Sequence, residues 1–154
     1  MGPDVLPTEG KIELISFEIA GQEFCIDIRS VREIRGWTAV TRMPHTPSYV
    51  LGVINLRGAV MPVLDLRSRL GLGETTASSR HVFVVVQHGE RLAGLMVDAV
   101  QETFEVEGHL LQAPPEVDIG ADELFVDAIL PLEGRMLSRL IVGALFPAPR
   151  LLAA

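Results

Sequence analysis

A chain of 154 residues, 48% apolar and 21% charged, is long enough to bury a sizeable core and too apolar to be disordered. Its net charge of −7, with 13 scattered basic residues, argues against nucleic acid as a partner. The lone Cys25 excludes an internal disulfide and suits a reducing cytosol, and no run approaches the roughly 18 apolar residues of a membrane-spanning helix.

Residues 1–11 read as a loose acidic tail without a secretion-signal pattern, so the expectation is a soluble cytoplasmic protein. Ile15, Phe17 and Ile19 then alternate with polar residues, and Phe24, Ile26 and Ile28 do so again after Gly21-Gln22, which predicts a hairpin. Val31 to Val40 reads as a strand bent at Gly36, followed by a proline-containing loop with a helical turn after Pro47. Val50 to Leu56 and the run ending at Leu66 form a hairpin around Arg57-Gly58, where Gly58 supplies a positive φ. Pro62 marks the return strand as an edge or as bulged. Asp65 to Leu70 reads as a short helix, capped by Asp65 and stopped by Gly71.

The stretch "GLGETTASS", from Gly71 to Ser79, is the best internal boundary. Beyond it, "HVFVVVQ" predicts a strand buried on both faces, Gly89-Glu90 a turn, and "RLAGLMVD" and Val100 to Val106 two further strands. The stretch "HLLQAPPE" is a loop, and Leu124 to Leu132 with Arg135 to Val142 closes the chain as a hairpin around Glu133-Gly134. A faint repeat links "EFCIDIRSVRE" after Gly21 with "ERLAGLMVDAVQE" after Gly89. The pattern predicts an all-β fold of two small barrels: residues 12–78, residues 79–146, and a tail at 147–154.

Catalysis finds little support. Cys25 lies in an alternating strand and reads as a half-buried strand residue rather than a nucleophile. His45, His81, His88 and His109 share no metal-ligand spacing, and no phosphate-binding glycine motif is present, so neither a metal nor a cofactor is expected. Asp27, Asp65 and Asp98 stand at strand ends, where carboxylates satisfy backbone N–H groups. What remains is surface suited to a protein partner, by strand addition or by helix docking. On the residues alone, Arg57 reads equally as an interface anchor or as a solvated hairpin tip.

Four segments in order, "VREIRG", "VTRMPHTPSYVLGVINLRGAVMPVLDLRSRLGL", "GLMVDAVQE" and "EGRML", resemble the CheW-type coupling proteins of bacterial chemotaxis, over roughly Ile12 to Leu137. The resemblance implies two SH3-like β-barrel subdomains on a shared hydrophobic core, with short helical turns. It implies no catalysis. The implied partners are the cytoplasmic tip of a methyl-accepting chemoreceptor and the regulatory domain of a CheA-type histidine kinase, with recruitment to membrane-bound receptor arrays. Carried over, the receptor-facing residues are Val31, Glu33, Gly52, Arg57, Gly58 and Val82, with Thr103 close by. The kinase-facing residues are Ile34, Arg42 and Met43, with a second contact around Gln112 and Val117. Two departures from the family pattern stand out: Gln112 and Val117 where a basic residue and an aromatic can occur, and "SRLIVGALFPAP" after "EGRML". Two alternatives remain: the same fold in another CheA-type pathway, such as surface motility or gene control, and a small hydrolase built on Cys25. A barrel that only self-associates is a third.

Overall fold

The alternating segments form strands, and the glycine-containing breaks between them form turns. The computed structural model describes residues 10–115 and 125–148. Its strands are β1 (Lys11–Ile19), β2 (Gln22–Asp27), β3 (Val31–Gly36), β4 (Val50–Leu56), β5 (Ala59–Asp65), β6 (Val82–His88), β7 (Arg91–Val97), β8 (Ala99–Glu107), β9 (Val126–Leu132) and β10 (Arg135–Leu140). Two single-turn helices, α1 (Leu66–Arg69) and α2 (Val142–Leu145), complete it. The fold is all-β, as expected. β3 stops at Gly36 rather than bending through it. Pro62 lies opposite Val53 of β4, one residue before β5 begins its pairing with β7 at Val63, so its missing N–H falls where β5 has one strand neighbour. Ser138 and Arg139 do not interrupt the last strand; they pair with Ile129 and Ala128.

The strands form two five-stranded sheets, ordered β8-β1-β2-β10-β9 and β3-β6-β7-β5-β4. Adding or subtracting five from each strand number converts one order into the other, so the faint repeat is real: β1 to β5 is one copy and β6 to β10 the next. The sheets nevertheless correct the expected division into residues 12–78 and 79–146. The hairpin β1–β2 leaves the first repeat and joins β8, β9 and β10, while β6–β7 joins β3, β4 and β5. Each unit is therefore a hairpin of one repeat completed by three strands of the other. The linker at 71–79 connects strands of the same sheet, because strand pairing, not linker composition, decides membership. Each sheet closes on itself through one bridge: Thr41 to Val53 joins the chain after β3 to β4, and Gln112 to Ile129 joins the chain after β8 to β9. Closure removes the free edges that an open sheet would leave.

Successive side chains of a strand point to opposite faces, and here both faces are buried. Leu14, Cys25, Val106, Leu130 and Leu137 fill the interior of the first unit. Ile54, Met61, Val63, Phe83, Val85 and Met96 fill the second. The alternate residues, among them Ile15, Phe17, Ile26, Leu64, Val84, Val86 and Leu95, form a third core between the units. This parity explains "HVFVVVQ": Phe83 and Val85 face one core while Val84 and Val86 face another. Each such large side chain contributes about 1.5–3 kcal/mol of burial. Val142, Leu145 and Phe146 join the shared core, so the altered C-terminal segment still packs. Arg69 pins α2 there, donating to the Ala144 and Leu145 carbonyls at 3.0 Å while stacking on Tyr49 and Phe125.

The strand-end aspartates serve the backbone. Asp27 accepts the Arg29 N–H at 2.8 Å where the chain crosses to the second unit, and Asp98 accepts the Ala20 N–H at 2.8 Å where it crosses back. Asp65 accepts from Ser68 N, capping α1, and from Thr75 N at 3.0 Å, anchoring the linker. Because each unit needs strands from both repeats, cutting an engineered protease site between Gly73 and Glu74 should leave two fragments that co-elute with the β-sheet spectrum intact. Fragments that separate on a sizing column would contradict the exchange.

Candidate functional site

A tight turn and a β-bulge place the chemistry of the second unit at its open end. Arg57 (φ +53°) and Gly58 (φ +87°) form the two-residue turn between β4 and β5, whose double positive φ matches the twist of a hairpin. Asn55 Oδ1 accepts the Gly58 N–H at 2.9 Å and holds the turn. From this tip the Arg57 guanidinium donates to the Glu33 carboxylate on β3, and Arg35 Nη1 approaches the other oxygen at 3.4 Å. Arg57 keeps 71% of its side chain exposed. Arg57 is thus a solvated hairpin-tip residue whose guanidinium is held by an ion pair to Glu33.

Beneath the pair lies an open groove of about 320 Å³ lined by Val31, Arg32, Glu33, Leu56, Arg57, Val85 and Leu92. Aliphatic Val31, Leu56, Val85 and Leu92 share its lining with the charged Arg32, Glu33 and Arg57. A β-bulge at Arg32, which has no partner between the Val31–Val86 and Glu33–Val85 pairs, turns Glu33 toward the mouth. Hydrogen bonding from Arg57 holds the Glu33 carboxyl below the usual range; partial desolvation opposes this, and Arg35 adds to the lowering. The ion pair is therefore complete above the ordinary glutamate range and fades only when acid passes below it.

The structure gathers Val31, Glu33, Arg57 and Gly58 at this mouth and places the other carried-over residues elsewhere. Gly52 is buried at φ +151°, and a Cβ there would lie 2.2 Å from the Thr41 carbonyl oxygen, so its bareness serves the closing bridge. Val82 pairs with Gly36 at the far end of β3 and packs against the shared core. Thr103 stands exposed opposite Ile15 in the other sheet. Ile34 and Met43 are 46% and 43% exposed, beside an exposed Arg42. Gln112 is exposed in the first unit, and Val117 lies outside the described residues. Sequence reading missed Arg32, Leu56, Val85 and Leu92; the repeated Val-x-Glu of residues 31–33 and 100–102 was the available signal.

Catalytic chemistry loses its candidates. Cys25 is fully buried, and burial pushes its thiol up to about 12, leaving almost no thiolate at neutral pH. His81 does sit near Asp98 (3.4 Å) and Ser78 Oγ (3.3 Å), but the ring nitrogen a serine would need as base also accepts the Ser78 N–H at 3.2 Å. That geometry is a turn before β6. Among the described residues no group of three His, Cys, Asp or Glu side chains is placed to hold a metal, and no helix is long and apolar enough to cross a membrane.

Comparison with known proteins points one way. A family model described as the CheW-like domain matches residues 13–150. A probable chemotaxis protein CheW of Rhizobium etli is 47% identical over 138 residues, 90% of this chain and 89% of its own length. A chemotaxis protein CheW of Rhizobium meliloti is 45% identical over 141 residues, 92% and 91% of the two chains. The crystal structure of the scaffolding protein TtCheW from Thermoanaerobacter tengcongensis superposes with a TM-score of 0.77 at 32% identity, over 84% of this chain and 88% of that one.

Two outcomes are expected from the site geometry. Removing the guanidinium in Arg57→Ala should move the Glu33 carboxyl pKa, followed by NMR titration, upward toward the ordinary value; an unchanged titration would mean that Arg57 does not hold it. Cys25 should react with a thiol reagent in the native state about a thousandfold more slowly than in denaturant, from the three-unit rise alone. Rapid native labelling would restore the nucleophile.

Proposed function

The chain belongs to the CheW-like domain family, and on that premise we propose that it is a non-enzymatic chemotaxis scaffold coupling a chemoreceptor tip to a CheA-type histidine kinase. The observation that carries the receptor side is the groove under Arg57 and Glu33, with aliphatic side chains and an exposed cation in its lining. A helical hairpin tip would lay an apolar side chain on Val31, Leu56 and Leu92 while a carboxylate or carbonyl bonds Arg57. Gly58 leaves room for close approach, because nothing lies within 4 Å of the Cβ it lacks. Gly52 would act from behind, by keeping the bridge at Thr41 closed. Val82 and Thr103 would extend the footprint toward the shared core.

The kinase side rests on exposed apolar surface near a cation. Ile34 and Met43 are large and exposed, and Met43 adjoins the exposed Arg42 in the chain, a composition suited to an interface that forms and releases. Gln112, held in an extended bridge to Ile129 on the first unit, would supply a second kinase contact, with Val117 five residues further along the chain as its proposed companion. In this reading the protein works in the cytoplasm, at arrays of membrane-bound receptors.

The test is co-elution of the purified protein with the regulatory domain of the cognate CheA-type kinase, followed by addition of a receptor-tip fragment. Both should bind saturably. Arg57→Ala should weaken the receptor contact at least tenfold, leave the kinase contact unchanged and shift Tm by less than about 2 °C, as for an exposed pair. A sharp loss of Tm would make Arg57 structural, and binding to neither partner would overturn the proposal.

A further inference from the structure

The matching strand orders mean that the first unit has a mouth equivalent to the docking groove. The details repeat. In β8, Gln101 is bulged out between the Glu102–Ser16 and Val100–Phe17 pairs, as Arg32 is in β3. Glu102 therefore stands where Glu33 stands in the second unit. The turn between β9 and β10 has the same double positive φ, +48° at Glu133 and +80° at Gly134.

The difference lies in two places. "LRGA" of residues 56–59 puts an arginine on the turn, whereas "LEGR" of residues 132–135 moves it two positions on, to the first residue of β10. From there Arg135 lies between two carboxylates, with Nη2 3.0 Å from Glu102 Oε1 and Nη1 3.2 Å from Glu23 Oε1. Its side chain is 36% exposed, against 71% for Arg57. The lining changes with it. Opposite Glu33 stands Val85, but opposite Glu102 stands Ser16. The second residue of the returning hairpin strand is Leu92 in one unit and Glu23 in the other. One mouth is aliphatic with a cation at its rim; the other is polar and acidic with a cation inside.

We infer that the first unit's mouth is a guanidinium site occupied in cis by Arg135, the closed counterpart of the open groove. Arg135 donates one hydrogen bond to Glu102 and keeps Glu23 at ion-pair distance on its other side, a placement that suits a planar, delocalised cation better than a point charge. Hydrogen bonding to Glu102 raises the Arg135 pKa further, so the guanidinium keeps its charge throughout the neutral range. One chain then presents a single open mouth, and the position of one arginine in the hairpin determines which.

Chemical rescue tests this. Arg135→Ala should lower Tm by about 3 °C, the scale of a partly buried ion pair in a chain of this size. Millimolar methylguanidinium chloride should then recover at least half of that loss, saturably. Methylammonium chloride should not, and neither salt should raise Tm of the unaltered protein. Adding Glu102→Gln to the variant should abolish the rescue. If Arg135→Ala loses its fold, methylguanidinium must restore the β-sheet spectrum over the same range. Three results would overturn the inference: equal effects on variant and parent, rescue that survives Glu102→Gln, or a variant as stable as the parent and indifferent to methylguanidinium. The statement that one mouth stays open for a partner rests on the docking reading; the rescue does not use that partner, so the two fail separately.

Discussion

Everything in this molecule depends on a sheet surface that is buried twice. β1, β2, β5, β6 and β7 each send one set of side chains into their own unit and the alternate set into the core between units. Neither face can be exposed without giving up several large aliphatic side chains, so the units cannot part as independent domains. Hairpin exchange strengthens the constraint, because the strands that face the shared core, β1–β2 and β6–β7, are those each repeat contributes to the other's sheet. The crossings are correspondingly short, and Asp27 and Asp98 tie them to nearby backbone.

With its centre fixed in this way, the molecule keeps its variable chemistry at the ends of the barrels. The hairpin tips at Arg57-Gly58 and Glu133-Gly134 are backbone devices of the same shape carrying different residues. The second unit keeps a partly aliphatic groove open beneath an exposed arginine; the first fills its mouth with a guanidinium held between Glu23 and Glu102. Duplication supplied two equivalent positions, and a two-residue shift of one cation made them unlike.

The molecule also keeps the charges at its two mouths in pairs. Its ionised groups are paired in the direction that keeps them charged through the neutral range: Glu33 is held low and Arg135 high. The Cys25 thiol is sealed in the first unit with its pKa pushed up to about 12.

Local chemistry is legible in the sequence because it acts within a few residues. Alternation in Ile15–Ile19 specified a strand, Gly58 and Gly134 specified turns, Asp65 capped α1, and the unbroken apolar run at 82–86 announced burial on both faces. Even the repeat could be seen. The partner of each strand could not, since the period of two that marks a strand is silent about which edge it meets. Hence the linker at 71–79 read as a boundary, although it connects strands of one sheet. The groove was half visible for the same reason: Glu33 and Arg57 could be named, but Val85 and Leu92 join its lining only when β6 pairs with β3, and β7 with β6, in one sheet. Gly52 looked like a contact residue until the Thr41 carbonyl was found in the space its side chain would need. The sequence by itself determined the strands, turns and caps. Pairing between residues far apart in the chain decided the exchange of hairpins, and with it which mouth is open.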